Sequence, residues 1–433
     1  MEKRKVLLIG GGGREAAIAW HIDRTCADVE LHATPGNPGI AEFAACHSVK
    51  ADDLDALCVL GKSLRPDLTI VGPEAPLVAG IVDRFDDELS LSVVGPNAAA
   101  AFLEGSKVRA KRFMRRHGIP TAPFHVFDNP NSAERYLESV AYNPVVIKAD
   151  GLCGGKGVII PHSLDSQFAA VAEIMRDKRF GPAGDRIVIE KKLEGVECSL
   201  LVLADGVNAI PFPAARDFKR RFDGDKGPNT GGMGCFCPIP DISPDLLEEI
   251  MDDIVYPTIR GMAYEGHPYR GVLYFGLMLT EDGPKVLEYN CRFGDPETEV
   301  ILPILTEDWN FVDLLGLTLE ANSGLETVEL KWQGVAVGVV AVHEGYPGKS
   351  SRGVPVDVTN VGKTGSLVFH AGTKLDTSGN LVTDGGRIAV CVGLGKDFRT
   401  AREQSYGGIA LLDFEGRAYR DDIAEQIAQS EPI

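Results

Sequence analysis

The chain has 433 residues and a formal net charge of -18, with 44 Lys and Arg against 62 Asp and Glu. That balance argues against a nucleic-acid or anionic-membrane surface as the main partner, and the length implies about three domains with a large core. Nine cysteines are scattered without a CxxC pair, and no apolar run approaches the roughly 18 residues of a membrane span, so reduced thiols and a cytoplasmic enzyme are expected.

The amino terminus has basic residues but an apolar run only at 6–9, too short for a signal-peptide core. Residues 5–9 (KVLLI) read as a buried strand that runs into Gly10, Gly11, Gly12 and Gly13, and residues 14–20 read as a helix. A strand, a glycine turn and a helix start leave main-chain N–H groups and a positive dipole end facing an anion. Residues 11–16 (GGGREA) satisfy the looser GxGxxA dinucleotide pattern, with Glu30 at a suitable later strand position. A dinucleotide site, a sugar-phosphate site and tight ligand-free packing are all compatible with it. Apolar segments at 68–71 and 91–94 each lead into Gly-Pro, and alternate with helical stretches such as 76–85. That alternation predicts a parallel sheet with helices on both faces and ligands at the carboxyl ends of its strands. The glycine loop and Glu74 fall at that edge, although Glu74 reads equally as a helix N-terminal charge.

Residues 107–117 (KVRAKRFMRRH) form a basic helical pattern, most of it a solvated face, with Lys107 singled out by its place after Gly105-Ser106 at the helix start. In 144–160 (PVVIKADGLCGGKGVII) two β-branched runs flank a glycine loop, which reads as strand, loop, strand. A P-loop is excluded, because Asp150 stands at its first glycine position and Gly157 at its last. A glycine hairpin still brings main-chain N–H groups close to phosphates, with Lys148 as a point charge; a structural hairpin shares the pattern. Apolar runs at 186–190 and 198–203 suggest a strand ending in Glu190 that leads to an adenine, with Glu197 near a ribose. Residues 217–234 (DFKRRFDGDKGPNTGGMG) read as a functional or disordered loop with anion donors at Asn229, Thr230, Gly231 and Gly232.

Residues 285–299 (KVLEYNCRFGDPETE) gather carboxylates, an amide and an arginine. Strand alternation puts Glu288 and Asn290 on one face with Val286, and Leu287 and Tyr289 on the other. A carboxylate and an amide oxygen on one face suit a hard cation. Arg292 adds a fixed positive fork, and Gly294 and Pro296 bend the chain so that Asp295, Glu297 and Glu299 lie on a turn. An acidic surface turn is the plain alternative. Against it, the apolar run 272–279, joined through Asp282-Gly283 as a hairpin, would seat the Glu288 face inside the protein. Strands at 335–342 and 387–392 and an acidic helical tail from 421 predict a separate carboxy-terminal α+β domain.

The segments GGGGREA at 10–16, TIVGPEAPLV at 69–78, LEGSK at 103–107, VIKADG at 146–151, GKGV at 155–158, GPNTGGMG at 227–234 and EYNCRFGDPETE at 288–299 belong together. On them the chain resembles, over essentially its whole length, the phosphoribosylamine–glycine ligase (glycinamide ribonucleotide synthetase) family of the ATP-grasp superfamily. The resemblance implies an α/β and α+β multidomain fold. Its parts are a Rossmann-like domain at 1–103, an ATP-grasp pair of subdomains at 104–325 with a mobile lid at about 122–192, and a carboxy-terminal α+β domain at 326–433. It implies ATP as co-substrate with Mg2+ or Mn2+, glycine and 5-phosphoribosylamine as substrates, and a monomer that binds neither nucleic acid nor membrane.

Roles follow from the same resemblance. Glu288 and Asn290 are the expected metal ligands; Lys107 and Lys148 meet ATP phosphates, and Glu190 and Glu197 meet adenosine, with Gly154, Gly155, Lys156, Gly157, Lys191 and Leu193 completing the nucleotide site. Substrate contacts are expected at Gly12, Gly13, Arg14, Glu15, Gly36, Asn37, Pro73 and Glu74, and again at Asn229, Thr230, Gly231, Gly232, Pro296 and Glu297. Arg292 and Lys148 would neutralise the transferring phosphoryl group, and Asp217 and Asp295 are candidates for glycine's ammonium. The chain departs from the family pattern at Ala16 and Phe218, where many members carry histidine, and at Cys153, which replaces a small residue. The competing readings are an NAD-dependent oxidoreductase on the 10–16 loop, a catalytically silent ATP-binding module, and another ATP-grasp enzyme of purine synthesis.

Overall fold

The structure is a computed structural model that describes residues 3–140 and 143–430; the extreme ends of the expected first and third domains lie outside them. Strands β1 (Arg4–Gly10), β2 (Val29–Pro35), β3 (Ala45–Cys46), β4 (Leu68–Val71) and β5 (Val93–Val94) form an all-parallel sheet in the order β3-β2-β1-β4-β5. Its central strand is a continuous apolar run because both faces are covered: Val6 and Leu8 enter one buried cluster, Leu7 and Ile9 another. The single helix expected at 76–85 is two, Glu74–Val78 and Ile81–Leu89, because Gly80 between them adopts φ +89°.

A four-stranded sheet is antiparallel, in the order β6-β9-β7-β8, from β6 (Phe124–Phe127), β7 (Val145–Ala149), β8 (Val158–Ile159) and β9 (Ile187–Lys191). It has a core of its own, with Leu137, Ile147, Val171, Ile174, Ile187 and Ile189 buried together. The glycine loop joins β7 to β8. A second antiparallel sheet, β11-β10-β16-β17, contains β10 (Val196–Asp205), β11 (Ala209–Pro211), β16 (Arg270–Thr280) and β17 (Gly283–Asn290). The hairpin between the last two closes with Thr280 opposite Gly283, the glycine at φ +97°.

Alternation fails in β17. Gly276 pairs with Glu288 while Leu277 pairs with Val286, which leaves Leu287 as an extra residue in a bulge. Val286 and Tyr289 therefore share the apolar core, and Leu287, Glu288 and Asn290 line the cleft described below. The expected common face of Val286, Glu288 and Asn290 is thus corrected.

Residues 217–234 are not a loose loop. They contain β12 (Arg216–Asp217), the hairpin of β13 (Arg220–Phe222) and β14 (Lys226–Asn229), and β15 (Gly234–Cys237). The carboxy-terminal strands are β18 (Val335–His343), β19 (Leu367–His370), the small hairpin of β20 (Thr373–Leu375) and β21 (Leu381–Thr383), β22 (Arg387–Gly395) and β23 (Arg417–Ala418); one sheet runs β12-β15-β18-β22-β19, with β23 also paired to β18. The carboxy-terminal sheet takes in strands from the middle of the chain: β15 pairs from Gly234 opposite Val339 to Cys237 opposite Ala336. The acidic tail is helical at Glu425–Ser430. All nine cysteines are free. Among the described residues no helix is long and apolar enough to cross a membrane.

Candidate active site

The parallel sheet edge, the β6-β9-β7-β8 sheet, β17 and the carboxy-terminal sheet enclose a cleft of about 820 Å³. Helix Lys107–Arg116 supplies one wall. Its N-cap Ser106 accepts from Arg109 N, and Lys107 at the first turn donates through Nζ to Gly151 O at 3.0 Å, tying the helix to the glycine loop. Lys148 rises from β7, where its Nζ donates to Leu287 O at 2.9 Å and pairs with Glu190 Oε1 at 2.6 Å.

One end of the cleft is strongly cationic. Burial opposes ionisation of Glu288, but Lys219, Lys148, Lys107 and Arg292 outweigh it and draw the carboxyl down to about 2. Lys219 Nζ stands 3.6 Å from Glu288 Oε1, beyond hydrogen-bond length, so the carboxylate keeps oxygens free for a ligand. Asn290 Oδ1 accepts only a long 3.3 Å bond from Arg292 Nη2. Among the described residues no cluster of three or more His, Cys, Asp or Glu could hold a metal. Two oxygen donors completed by phosphate and water are the habit of magnesium rather than zinc, and Glu288 with Asn290 fits that habit. Arg292 lies between Glu74 Oε2 and Glu104 Oε1, each at 3.4 Å.

Acidic groups stand beside these cations. Burial and then Glu297 push the Asp217 carboxyl well above the ordinary range, against Lys219 and Arg387, and Asp217 Oδ1 is buried without a hydrogen-bond partner. Glu297 Oε1 accepts from Ser199 Oγ at 2.9 Å, and Ser199 Oγ lies 2.8 Å from Tyr274 Oη. Arg387 reaches in from β22 to Asp295 Oδ1 at 3.0 Å and to Gly231 O at 2.6 Å. Asp295 is thereby paired inside the protein, which leaves Asp217 as the free acceptor of the two acids expected to hold an ammonium.

Of the expected nucleotide contacts, Lys107, Lys148, Gly154, Gly155, Gly157, Glu190, Lys191, Leu193 and Glu197 line the cleft. Lys156 lies outside that lining and donates to Pro347 O at 3.0 Å, and the Glu190 carboxylate, 2% exposed, pairs with Lys148 and Lys111. Of the expected substrate contacts, Arg14, Glu74, Asn229, Thr230, Gly231 and Glu297 line the cleft. Gly12, Gly13, Glu15, Gly36, Asn37, Pro73, Gly232 and Pro296 are not among its lining residues. Asn37 Nδ2 is consumed by Gly11 O and His370 O, at 3.0 and 2.7 Å. A Cβ added at Gly232 would sit 2.4 Å from Pro296 Cδ, so those two pack on each other.

Glu15 also removes the dinucleotide reading of the glycine loop. Its Oε2 accepts from Gly12 N at 2.6 Å, and a Cβ at Gly72 would lie 1.8 Å from its Oε1. A pyrophosphate approaching that N–H would meet a carboxylate. Sequence reasoning missed Lys219, Arg387, Glu104 and the Ser199–Tyr274 pair, none of which carries a spacing signal. It also left Lys111 on a solvated face, whereas the side chain is 2% exposed; its one-turn spacing from Lys107 was the available signal.

A glycine-looped antiparallel sheet and a second antiparallel sheet on either side of a cation-lined cleft define an ATP-grasp enzyme. Family models for the N domain, the ATP-grasp (A) domain and the C domain of phosphoribosylglycinamide synthetase match residues 4–104, 105–298 and 336–426. The chain belongs to the phosphoribosylglycinamide synthetase family. It is 42% identical over 421 residues to the phosphoribosylamine–glycine ligase of Caldanaerobacter subterraneus, covering 97% of this chain and 99% of that protein. It is 44% identical to the trifunctional purine biosynthetic protein adenosine-3 of Gallus gallus, where the match covers 97% of this chain but spans only 42% of the longer protein. The crystal structure of the phosphoribosylamine–glycine ligase of Thermotoga maritima superposes with a TM-score of 0.84 at 35% identity, over 97% of this chain and 100% of that one.

Proposed function

We propose that this chain joins glycine to 5-phosphoribosylamine at the expense of ATP, giving glycinamide ribonucleotide, ADP and phosphate through glycyl phosphate. The observation that carries it is the convergence of Lys107, Lys148, Lys219 and Arg292 around Glu288 and Asn290, beneath the Gly154–Gly155 loop. Glycine's carboxylate is a poor acyl donor. Its oxygen attacks the γ-phosphorus of ATP, the bond to the leaving ADP oxygen breaks, and the resulting acyl phosphate is attacked by the amine, which sheds a proton as phosphate departs.

Such a transfer needs positioning and charge neutralisation more than a general base. Lys148 and Arg292 supply fixed positive charge; Mg2+ or Mn2+ held by Glu288 and Asn290 would add charge neutralisation at the transferring phosphoryl group. Asp217, an unpartnered buried acceptor beside Glu297, binds glycine's ammonium. An ammonium offsets the burial that raises this carboxyl, so glycine and the Asp217 carboxylate stabilise each other. The glycine loop excludes water from the acyl phosphate. The reading carries with it a monomer in the cytoplasm.

The test is ADP formation from ATP, magnesium and freshly prepared phosphoribosylamine. Release that requires glycine supports the ligase. Release that proceeds equally with bicarbonate or formate in its place, or binding of ATP without turnover, rejects it.

A further inference from the structure

Helix Lys107–Arg116 carries a second inward lysine that the chemistry above does not use. Lys111 Nζ pairs with Glu190 Oε2 at 2.5 Å, the oxygen opposite the one that Lys148 holds at 2.6 Å. The same Nζ donates to Thr121 Oγ1 at 2.6 Å, and Thr121 Oγ1 donates to Val286 O at 2.6 Å. Lys148 meanwhile bonds Leu287 O. Two lysines thus hold two consecutive carbonyls of the bulge from which Glu288 projects, one directly and one through a hydroxyl. We infer that Lys111 is a positioning residue of the nucleotide site: it occupies half of Glu190 so that Lys148 keeps net positive charge for phosphate, and it braces the Glu288 bulge.

The inference rests on the ligase reading, and the charge count makes it specific. Two lysines and one glutamate leave a net charge of one; removing Lys111 leaves a neutral Glu190–Lys148 pair. Removing Lys111 and Glu190 together restores an unmatched Lys148. A purely structural role predicts the opposite order, with the double variant worse than the single.

The experiment is calorimetric binding of magnesium–ATP to the full chain. Lys111→Met raises Kd by about tenfold, the scale of a lost charged contact, and Lys111→Arg does not. The double variant Lys111→Met/Glu190→Gln returns to within about threefold of the unaltered chain. Unchanged affinity in Lys111→Met, or a double variant that binds no better than the single, overturns the inference. Should Lys111→Met lose its near-ultraviolet dichroism, the double variant decides alone: affinity near that of the unaltered chain supports the role, and a tenfold loss overturns it. Failure of the unaltered chain to bind magnesium–ATP overturns the ligase reading as well, whereas normal binding with indifferent variants overturns only this inference.

Discussion

Glu288 and Glu104 line the same cleft and are driven in opposite directions by their surroundings. Four cations outweigh burial at Glu288 and keep it ionised. Glu288→Gln preserves shape and removes the charge, so kcat is expected to fall by at least about a hundredfold with near-ultraviolet dichroism intact; full turnover would remove the proposed metal role. At Glu104 burial wins over Arg292 and, with Glu74 adding to it, raises the carboxyl to about 7 from an ordinary 4.5. Between those values the folded chain holds a proton that the unfolded chain has released, so this group's contribution to stability falls as pH rises from about 4.5 to 7, by about 3 kcal/mol. Glu104→Gln keeps an acceptor for Cys291 N, at 2.6 Å in the native chain, and should flatten that slope in urea midpoints measured at pH 5 and pH 7. An unchanged slope contradicts the assignment. At this scale the gathering of Glu288, Asn290, Arg292 and Lys148 in one cleft was legible, because an oxygen pair and a lysine beside glycines each mark a polar site in the sequence. Lys219 was not. Three cations stand in a row, and only folding sends Arg220 to Gly227 O and Arg221 to Tyr346 O while Lys219 turns to Glu288.

The glycine loop was legible as an element, and its conformation explains its composition. Gly154 and Gly155 adopt φ of +55° and +75°, and a Cβ at Gly155 would meet Thr230 O at 3.4 Å. A side chain there costs about 1 to 2 kcal/mol in backbone strain. Gly155→Ala is therefore expected to raise KM for ATP by about five- to thirtyfold. Gly118, at φ +67° with open space around it, is the control: Gly118→Ala strains a surface turn and leaves KM unaltered. Equal effects from the two substitutions would mean that the loop's left-handed backbone is not what they report. The β17 bulge was hidden, since a bulged strand and a regular one have the same composition. The register is set by β16, where Gly276 opposite Glu288 leaves room for the Glu288 side chain; a Cβ there would come within 3.2 Å of Glu288 Cγ.

The whole molecule is less divisible than its motifs suggest. β12 and β15 belong in sequence to the nucleotide-binding middle and in space to the carboxy-terminal sheet, and Arg387 crosses from that sheet into the cleft to bind Asp295 and Gly231. A chain ending at residue 334 strips β15 of β18 and leaves the Asp295 carboxylate and buried Cys235 and Phe236 without their cover. Such a fragment is expected to lose near-ultraviolet dichroism and to be cleaved rapidly within 217–237 by protease; a fragment that keeps both signals would show that the middle region folds by itself. Composition, strand and helix periods, the glycine loops and the oxygen-bearing end of β17 were determined by the sequence alone, because each rests on local spacing along one segment. Which lysine faces phosphate, which acid is left without a partner, and where Leu287 breaks the pleat were decided only in the tertiary structure, because each depends on atoms brought together from segments distant in the chain.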